Sequence, residues 1–192
     1  MTITEATRRL GIRHPIVQGP FGGGLSSVAL TATVSEHGGL GSYGAQTMSP
    51  EQIVGIAADI RARTDRPFAL NLWVSDHDPG GFDRDPAQLA ALRELFAPYF
   101  AELGLEVPEL PERAFHPFEQ QVEALLEARP HVFSFVFGVP RPAILEACRQ
   151  RGIVTLGAAT SIAEARALDE AGVELVVASG SEAGGHRPSF LA

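Results

Sequence analysis

A glycine-rich loop near the end of the sequence combines residue types that can perform acid–base chemistry. Residues 179–187 read Ser-Gly-Ser-Glu-Ala-Gly-Gly-His-Arg and follow the apolar stretch 175–178. Glycines let backbone amides approach a flat or anionic ligand closely, and an imidazole can accept or donate a proton near neutral pH. The pattern predicts a loop that wraps a planar cofactor and presents His186 as base or donor. The alternative is a glycine-rich surface loop with an incidental histidine.

Two other segments carry residues that could contact a ligand. Gln18 to Gly24 contains four glycines directly after a short apolar stretch, but it lacks the GxGxxG spacing of a dinucleotide site. It is either a ligand loop or a flexible turn. Asn71 interrupts the apolar run 68–74, where an amide is costly unless it is hydrogen-bonded. It therefore contacts a ligand or is a satisfied polar group in the protein interior.

The composition excludes several classes of function. The 192 residues include 15 basic and 23 acidic side chains, giving a net charge of −8, and none of the basic residues is lysine. Schiff-base aldolase chemistry, pyridoxal phosphate attachment and a Walker A loop each need a lysine. The acidic balance disfavours nucleic acid and anionic membranes as partners. Cys148 is the only cysteine, which excludes an intrachain disulfide, and we expect no metal site. No run of 18 apolar residues occurs, so we expect a cytoplasmic protein.

These candidate residues lie at the ends of a repeated strand–helix pattern. Continuous apolar strands between amphipathic helices predict a parallel sheet that is buried on both faces. The predicted strands cover residues 16–18, 40–43, 68–74, 132–137, 153–156 and 175–178. Ser49 with Gln52, and Ser161 with Glu164, predict capping boxes at two helix starts. The alternation allows a doubly wound sheet or a (β/α) barrel, and both bind ligands at the carboxyl ends of the strands.

Residues 76–116 interrupt the strand–helix alternation between the third predicted strand and the next helix. The segment begins with a polar turn and continues with a helical stripe of apolar residues from Leu89 to Leu103. A single stripe can dock on one side only. We interpret the segment as an insertion that folds over the carboxyl ends of the strands as a lid.

The loop at 181–187 closely resembles the glycine–histidine motif of the nitronate monooxygenases, formerly called 2-nitropropane dioxygenases. The resemblance extends to Gln18-Gly19-Pro20, to Leu40-Gly41 and to Asn71-Leu72, and it covers essentially the whole sequence. It implies an FMN-binding TIM (β/α)8-type barrel that oxidises alkyl nitronates or nitroalkanes with dioxygen to a carbonyl compound and nitrite. The motif is shared with flavin-dependent enoyl reductases and some quinone reductases.

The resemblance also implies roles for individual residues. His186 would be the base near the substrate, and Asn71 and Gly184 would contact FMN. Gly180 and Gly185 would be backbone neighbours of the flavin. The remaining cofactor-binding candidates are Gln18, Gly19, Pro20 and Ser179. Ser179 stands where many members carry a flavin-contacting Gln, and Pro188 stands where Gly is common.

The length leads to further expectations. About six of the eight βα units of a barrel are present, so we expect residues 1–192 to be the N-terminal portion of one FMN-binding barrel domain. A homodimer is the expected assembly. Two alternatives to the nitronate reaction remain open. One is an NAD(P)H-dependent FMN reductase that acts on quinones or enoyl thioesters, and the other is a non-catalytic partial-barrel fragment.

Overall fold

The computed structural model describes residues 4–74, 85–109 and 116–191, which form a parallel sheet flanked by helices. The helices of these ranges are α1 (Glu5–Leu10), α2 (Val28–Glu36), α3 (Pro50–Arg61), α4 (Pro86–Glu102), α5 (Phe118–Ala128), α6 (Pro142–Gln150) and α7 (Ile162–Glu170). The strands are β1 (Gly41–Gly44), β2 (Phe68–Trp73), β3 (Val132–Val136), β4 (Val154–Ala159) and β5 (Leu175–Ala178). No helix in the described ranges has both the length and the apolar character that a membrane span needs.

The order of the strands separates the two folds that the sequence left open. All neighbouring pairs are parallel, and the order in the sheet is β1-β2-β3-β4-β5, the same as in the chain. A doubly wound sheet reverses its order at a switch point, whereas a barrel adds each strand beside the previous one. The order is therefore that of a barrel wall. Within the described residues β5 ends the sheet, and the sheet does not close.

The predicted first strand is reduced to a single bridge. Val17 pairs in parallel with Leu40, beside the start of β1. The Gln18 amide donates to the Leu40 carbonyl at 3.0 Å, and the Leu40 amide donates to the Ile16 carbonyl at 2.9 Å. Prolines at positions 15 and 20 lack amide donors, which limits how far the ladder can extend. Five strands and one bridge thus stand where six strands were predicted.

The two faces of the sheet carry different cores, because successive side chains of a strand point to opposite faces. On the face toward the helices, Phe68, Leu70 and Leu72 of β2 pack with the buried apolar side chains of α3 and α5. Ala69 lies on the opposite, inner face. The buried cluster on that face consists of Leu10, Ile12, Leu40, Ala69, Val132 and Leu156. Leu10 comes from α1, a helix that the sequence analysis did not predict.

The two predicted capping boxes have different outcomes. At the start of α3, the Gln52 amide donates to Ser49 Oγ at 3.3 Å, and the Ser49 amide donates to Gln52 Oε1 at 2.9 Å. That box is confirmed. At α7 the Glu164 amide donates to Ser161 Oγ at 3.2 Å, but the carboxylate does not return to the Ser161 amide. The prediction of a reciprocal box was wrong there, because other donors occupy the carboxylate.

The insertion contributes one long helix that buries none of its side chains. Its residues 76–84 and 110–115 lie outside the described ranges. Within α4 the expected stripe includes Phe96 and Tyr99, which are 47% and 61% exposed. The stripe is therefore uncovered within the described part of the chain. Its docking as a lid stays a prediction.

Candidate active site

The glycine-rich loop after the first bridge lies on the carboxyl end of β1. A side chain at Gly44 would place its Cβ 2.8 Å from the Pro20 carbonyl oxygen and 3.0 Å from the Gly22 nitrogen. The contact therefore requires glycine at the end of β1. It brings Gly19 and Pro20 to the strand end at which parallel sheets bind ligands, and their contact with a cofactor stays a prediction.

Gln18 fastens this loop to β1 through its side chain. Its Nε2 donates to the Ser42 carbonyl at 2.9 Å, and its Oε1 accepts from the Ser42 amide at 3.3 Å. The same Nε2 also lies 3.1 Å from Ser26 Oγ. The side-chain amide thus positions the loop. Its predicted contact with a cofactor stays a prediction.

Asn71 lies on the inner face of β2, one step beyond the apolar layer that contains Ala69. It is 3% exposed, and its Nδ2 donates to Ser134 Oγ of β3 at 3.0 Å. Asn71 and Ser134 are register partners across the two strands. The hydrogen bond satisfies one donor of the amide inside the protein, which agrees with the interior interpretation. The FMN contact implied by the family resemblance stays a prediction.

The loop from Ser179 to Leu191 forms an open cavity at the same edge. The Ser179 amide donates to the Ala159 carbonyl of β4 at 2.8 Å, which fixes the start of the loop. A Cβ at Gly184 or Gly185 would meet no atom of the described residues within 4 Å beyond its chain neighbours, so these residues leave the space beside both backbones open. The cavity measures about 460 Å³, within the usual range of ligand sites. Its lining residues are Thr160, Ser179, Gly180, Ser181, Ala183, Gly185, His186 and Arg187.

His186 is held edge-on by two aromatic side chains from neighbouring strand ends. Its ring centroid lies 5.2 Å from that of Trp73 and 6.1 Å from that of Phe137. The rings of Trp73 and Phe137 contact each other at 5.1 Å with an angle of 85°. We call these three residues the aromatic triad. Edge-to-face contacts of this kind favour one ring orientation over others.

Trp73 and Phe137 were missed as site residues in the sequence. Trp73 is the only tryptophan and ends the strand that carries Asn71, which was an available signal. Phe137 adopts a φ of +69°, a left-handed conformation that is rare for an aromatic residue. Such backbone strain concentrates at functional sites. No pattern in the sequence indicates it, because φ depends on the surrounding packing.

Glu164 is a buried carboxylate at the edge of this site. It is fully buried, and its Oε2 accepts from the amide and the hydroxyl of Thr160 at 2.6 and 2.7 Å. Its Oε1 accepts from the amides of Phe190 and Leu191 at 2.6 and 3.0 Å. Burial alone would raise the pKa of this carboxyl. The hydrogen bonds from Leu191, Phe190 and Thr160 outweigh burial and lower the pKa to about 2.

This low pKa predicts an acid-dependent loss of stability. The folded state binds the Glu164 proton less readily than the unfolded state, whose pKa stays near 4.5. The contribution is therefore complete well above pH 4.5 and is lost as pH falls toward 2, and it amounts to roughly 3 kcal/mol. Thermal unfolding of the wild type and Glu164→Gln at a series of pH values checks this. The variant should be less stable at pH 7, and its stability should fall less on acidification. Parallel pH profiles would contradict the assignment.

Sequence comparison with known proteins assigns this chain to a family. A family model described as nitronate monooxygenase matches residues 4–192. The chain belongs to the nitronate monooxygenase family. The family resemblance expected from the glycine–histidine motif is thereby confirmed. A nitronate monooxygenase of Pseudomonas aeruginosa is 40% identical over 187 residues, which are 96% of this chain and 52% of that protein.

Solved structures agree with this membership. Nitroalkane oxidase from Streptomyces ansochromogenes matches with a TM-score of 0.77 at 30% identity, covering 94% of this chain and 50% of the other. FabK from Thermotoga maritima matches with a TM-score of 0.70 at 25% identity, covering 99% and 48%. The chain thus spans about half the length of the family relatives that it matches.

The residues at this edge suit an FMN group. The open space beside Gly184 and Gly185 can take a flat ring, and exposed backbone amides can donate to its oxygen and nitrogen atoms. Arg187 brings a cation to the cavity wall, as an anionic group requires. The Oε1 atom of Gln46, just after β1, is buried and has no hydrogen-bond partner among the residues that the structure describes. A buried orphan acceptor of this kind is commonly satisfied by a ligand or an ordered water.

Proposed function

We propose that the protein is an FMN-dependent oxidoreductase that converts alkyl nitronates and dioxygen to a carbonyl compound and nitrite. The observation that supports it most is the position of His186, at the wall of a glycine-lined cavity on the carboxyl edge of a parallel sheet. We further propose that these strands form part of a (β/α)8 barrel. The cytoplasmic location and the homodimer remain predictions from the sequence.

Different residues of the chain would bind the cofactor, accept the proton and orient the base. Bound FMN would supply the redox chemistry between the nitronate and dioxygen. Gly184 and Gly185 leave room for its ring, and Gly180, Ser179, Asn71 and the loop at 18–20 are the other proposed contacts. His186 would accept the α-proton of a neutral nitroalkane, and Arg187 would favour the anionic nitro group. Trp73 and Phe137 would keep the imidazole in one orientation.

Two anaerobic titrations test the proposal against its alternatives. The purified protein should carry a yellow chromophore that propionate 3-nitronate bleaches in the absence of oxygen. Admission of air should restore the colour and release nitrite. Bleaching by NADH and not by the nitronate would instead identify a reductase of quinones or enoyl thioesters. A colourless protein that takes up no added FMN would favour the non-catalytic alternative.

The lid assignment predicts the effect of removing residues 76–116. The described helix of this insertion buries no side chain, so its excision should cost little stability. If the insertion covers the mouth of the site, turnover or substrate range should change. Thermal unfolding and steady-state kinetics on a series of nitroalkanes of increasing chain length measure both effects. A deletion variant that fails to fold, or one with unchanged kinetics on every substrate, would contradict the assignment.

A further inference from the structure

The loop that carries His186 is joined to the rest of the described chain at its two ends. Its first residue, Ser179, is hydrogen-bonded to the carbonyl of Ala159. Its last residues, 190 and 191, donate their amides to Glu164. Residues 180–187 between these anchors are exposed. The two anchoring groups flank the short connection from β4 to α7, since Ala159 ends β4 and Glu164 lies in the first turn of α7. We therefore expect this part of the chain to determine where the loop lies.

The second oxygen of Glu164 accepts hydrogen bonds from a residue that lines the cavity. Glu164 Oε2 accepts from the amide and the hydroxyl of Thr160, a residue that lines the cavity together with His186. One carboxylate therefore binds both the end of the glycine–histidine loop and a residue of the cavity lining. A glutamate at this helix position would ordinarily return to the amide of the capping serine, Ser161. Here the carboxylate instead accepts from Thr160 and from the end of the glycine–histidine loop.

We propose that Glu164 is a positioning residue, whose carboxylate fixes the end of the glycine–histidine loop and thereby holds His186 in the aromatic triad. This inference rests on the proposed function of the site. His186 is only four residues before the anchored amide of Phe190. A loop rich in glycine has little stiffness of its own, so the location of the imidazole depends on the anchors.

An ionised carboxylate is the group that this position requires. Its two oxygens each accept two hydrogen bonds, whereas a glutamine offers one accepting oxygen and an NH2 group that opposes the donors. Burying a charge is costly unless hydrogen bonds compensate it fully. The four donors and the amino end of α7 supply that compensation. Because the pKa of Glu164 is low, its carboxylate is charged at neutral pH.

The only tryptophan of the chain provides a readout that does not depend on catalysis. The ring centroids of Trp73 and His186 lie 5.2 Å apart, and we expect protonation of an imidazole this close to quench the indole fluorescence. The wild type should show an acid quenching step that disappears in His186→Asn. In Glu164→Gln the step should be lost or strongly reduced, because the imidazole no longer stays beside Trp73. The turnover number on a neutral nitroalkane should fall about 10²-fold, as for a misplacement of about 1 Å.

Two matched pairs separate positioning from general damage to the fold. Glu170→Gln removes an exposed carboxylate from the end of the same helix and should leave the quenching step unchanged. Leu191→Pro removes one amide that Glu164 accepts from, whereas Leu191→Ala keeps that amide; Leu191 is half-exposed. The proline variant should weaken the step and the alanine variant should not. If Glu164→Gln does not fold, the two Leu191 variants test whether Glu164 positions His186.

The outcomes distinguish this inference from the proposed function. A wild-type quenching step in both Glu164→Gln and Leu191→Pro would overturn it, even if the nitronate reaction were established. The absence of a His186-dependent step in the wild type would overturn it too. A protein without flavin or nitronate activity, but with the expected pattern of fluorescence, would overturn the proposed function and leave Glu164 as the anchor of the loop.

Discussion

His186→Asn is expected to slow the oxidation of neutral nitroalkanes by about 10²–10⁴-fold, the usual cost of removing a positioned base. Oxidation of preformed nitronates should be affected much less, because a nitronate has already lost its α-proton. His186 borders the cavity and contacts two aromatic rings, but the described residues do not bury it. Its replacement should therefore leave the fold and the bound flavin in place.

The measurement compares the same compound in its two protonation states. Nitrite release is followed with a freshly dissolved nitroalkane and with its preformed nitronate, and the flavin content is determined by absorbance. His37→Asn is the matched control, because His37 is exposed at the end of α2, before β1 and away from the carboxyl edge. Equal losses on both substrates would reduce His186 to a binding residue. Loss of the flavin would make its role structural.

Gly41→Ala is expected to destabilise the protein by about 3 kcal/mol, at the upper end of the usual cost of overpacking a core. A Cβ on Gly41 would collide with the carbonyl of Thr31 in α2, lying 2.7 Å from its carbon and 2.8 Å from Ser35 Oγ. Ser35 Oγ accepts from the Gly41 amide and donates to the Pro67 carbonyl, at 3.2 and 2.7 Å. The methyl group would therefore force α2 away from β1 and break both hydrogen bonds.

Urea unfolding of this variant beside Gly55→Ala measures the effect. Gly55 lies within α3, and a Cβ there meets no atom of the described residues within 4 Å apart from the backbone of its own helix. Alanine in an open helical position should stabilise the protein by about 0.5–1 kcal/mol, since glycine is the poorer helix former. The two variants add the same methyl group and should shift the unfolding midpoint in opposite directions. An unchanged midpoint for Gly41→Ala would show that α2 can move at no cost.

Local patterns were sufficient to predict the repeating elements. The apolar runs at 68–74, 132–137 and 175–178 became β2, β3 and β5 with ends shifted by at most one residue. The glycine–histidine motif was sufficient to predict the family. These features depend on residues close together in the chain, so periodicity and short motifs reveal them. The reciprocal capping box at α7 failed because distant amides compete for the same carboxylate.

The geometry of the site depends on contacts between residues far apart in the chain. Trp73 ends β2, Phe137 follows β3 and His186 lies in the loop after β5, and the parallel sheet brings their rings together. The left-handed backbone of Phe137 has no marker in the sequence either. Residue types and spacing along the chain thus determined most of the strands and helices and the family. The order of strands in the sheet, the aromatic triad and the anchoring by Glu164 were decided by long-range packing, because the energy of each contact depends on which distant groups the fold places beside it.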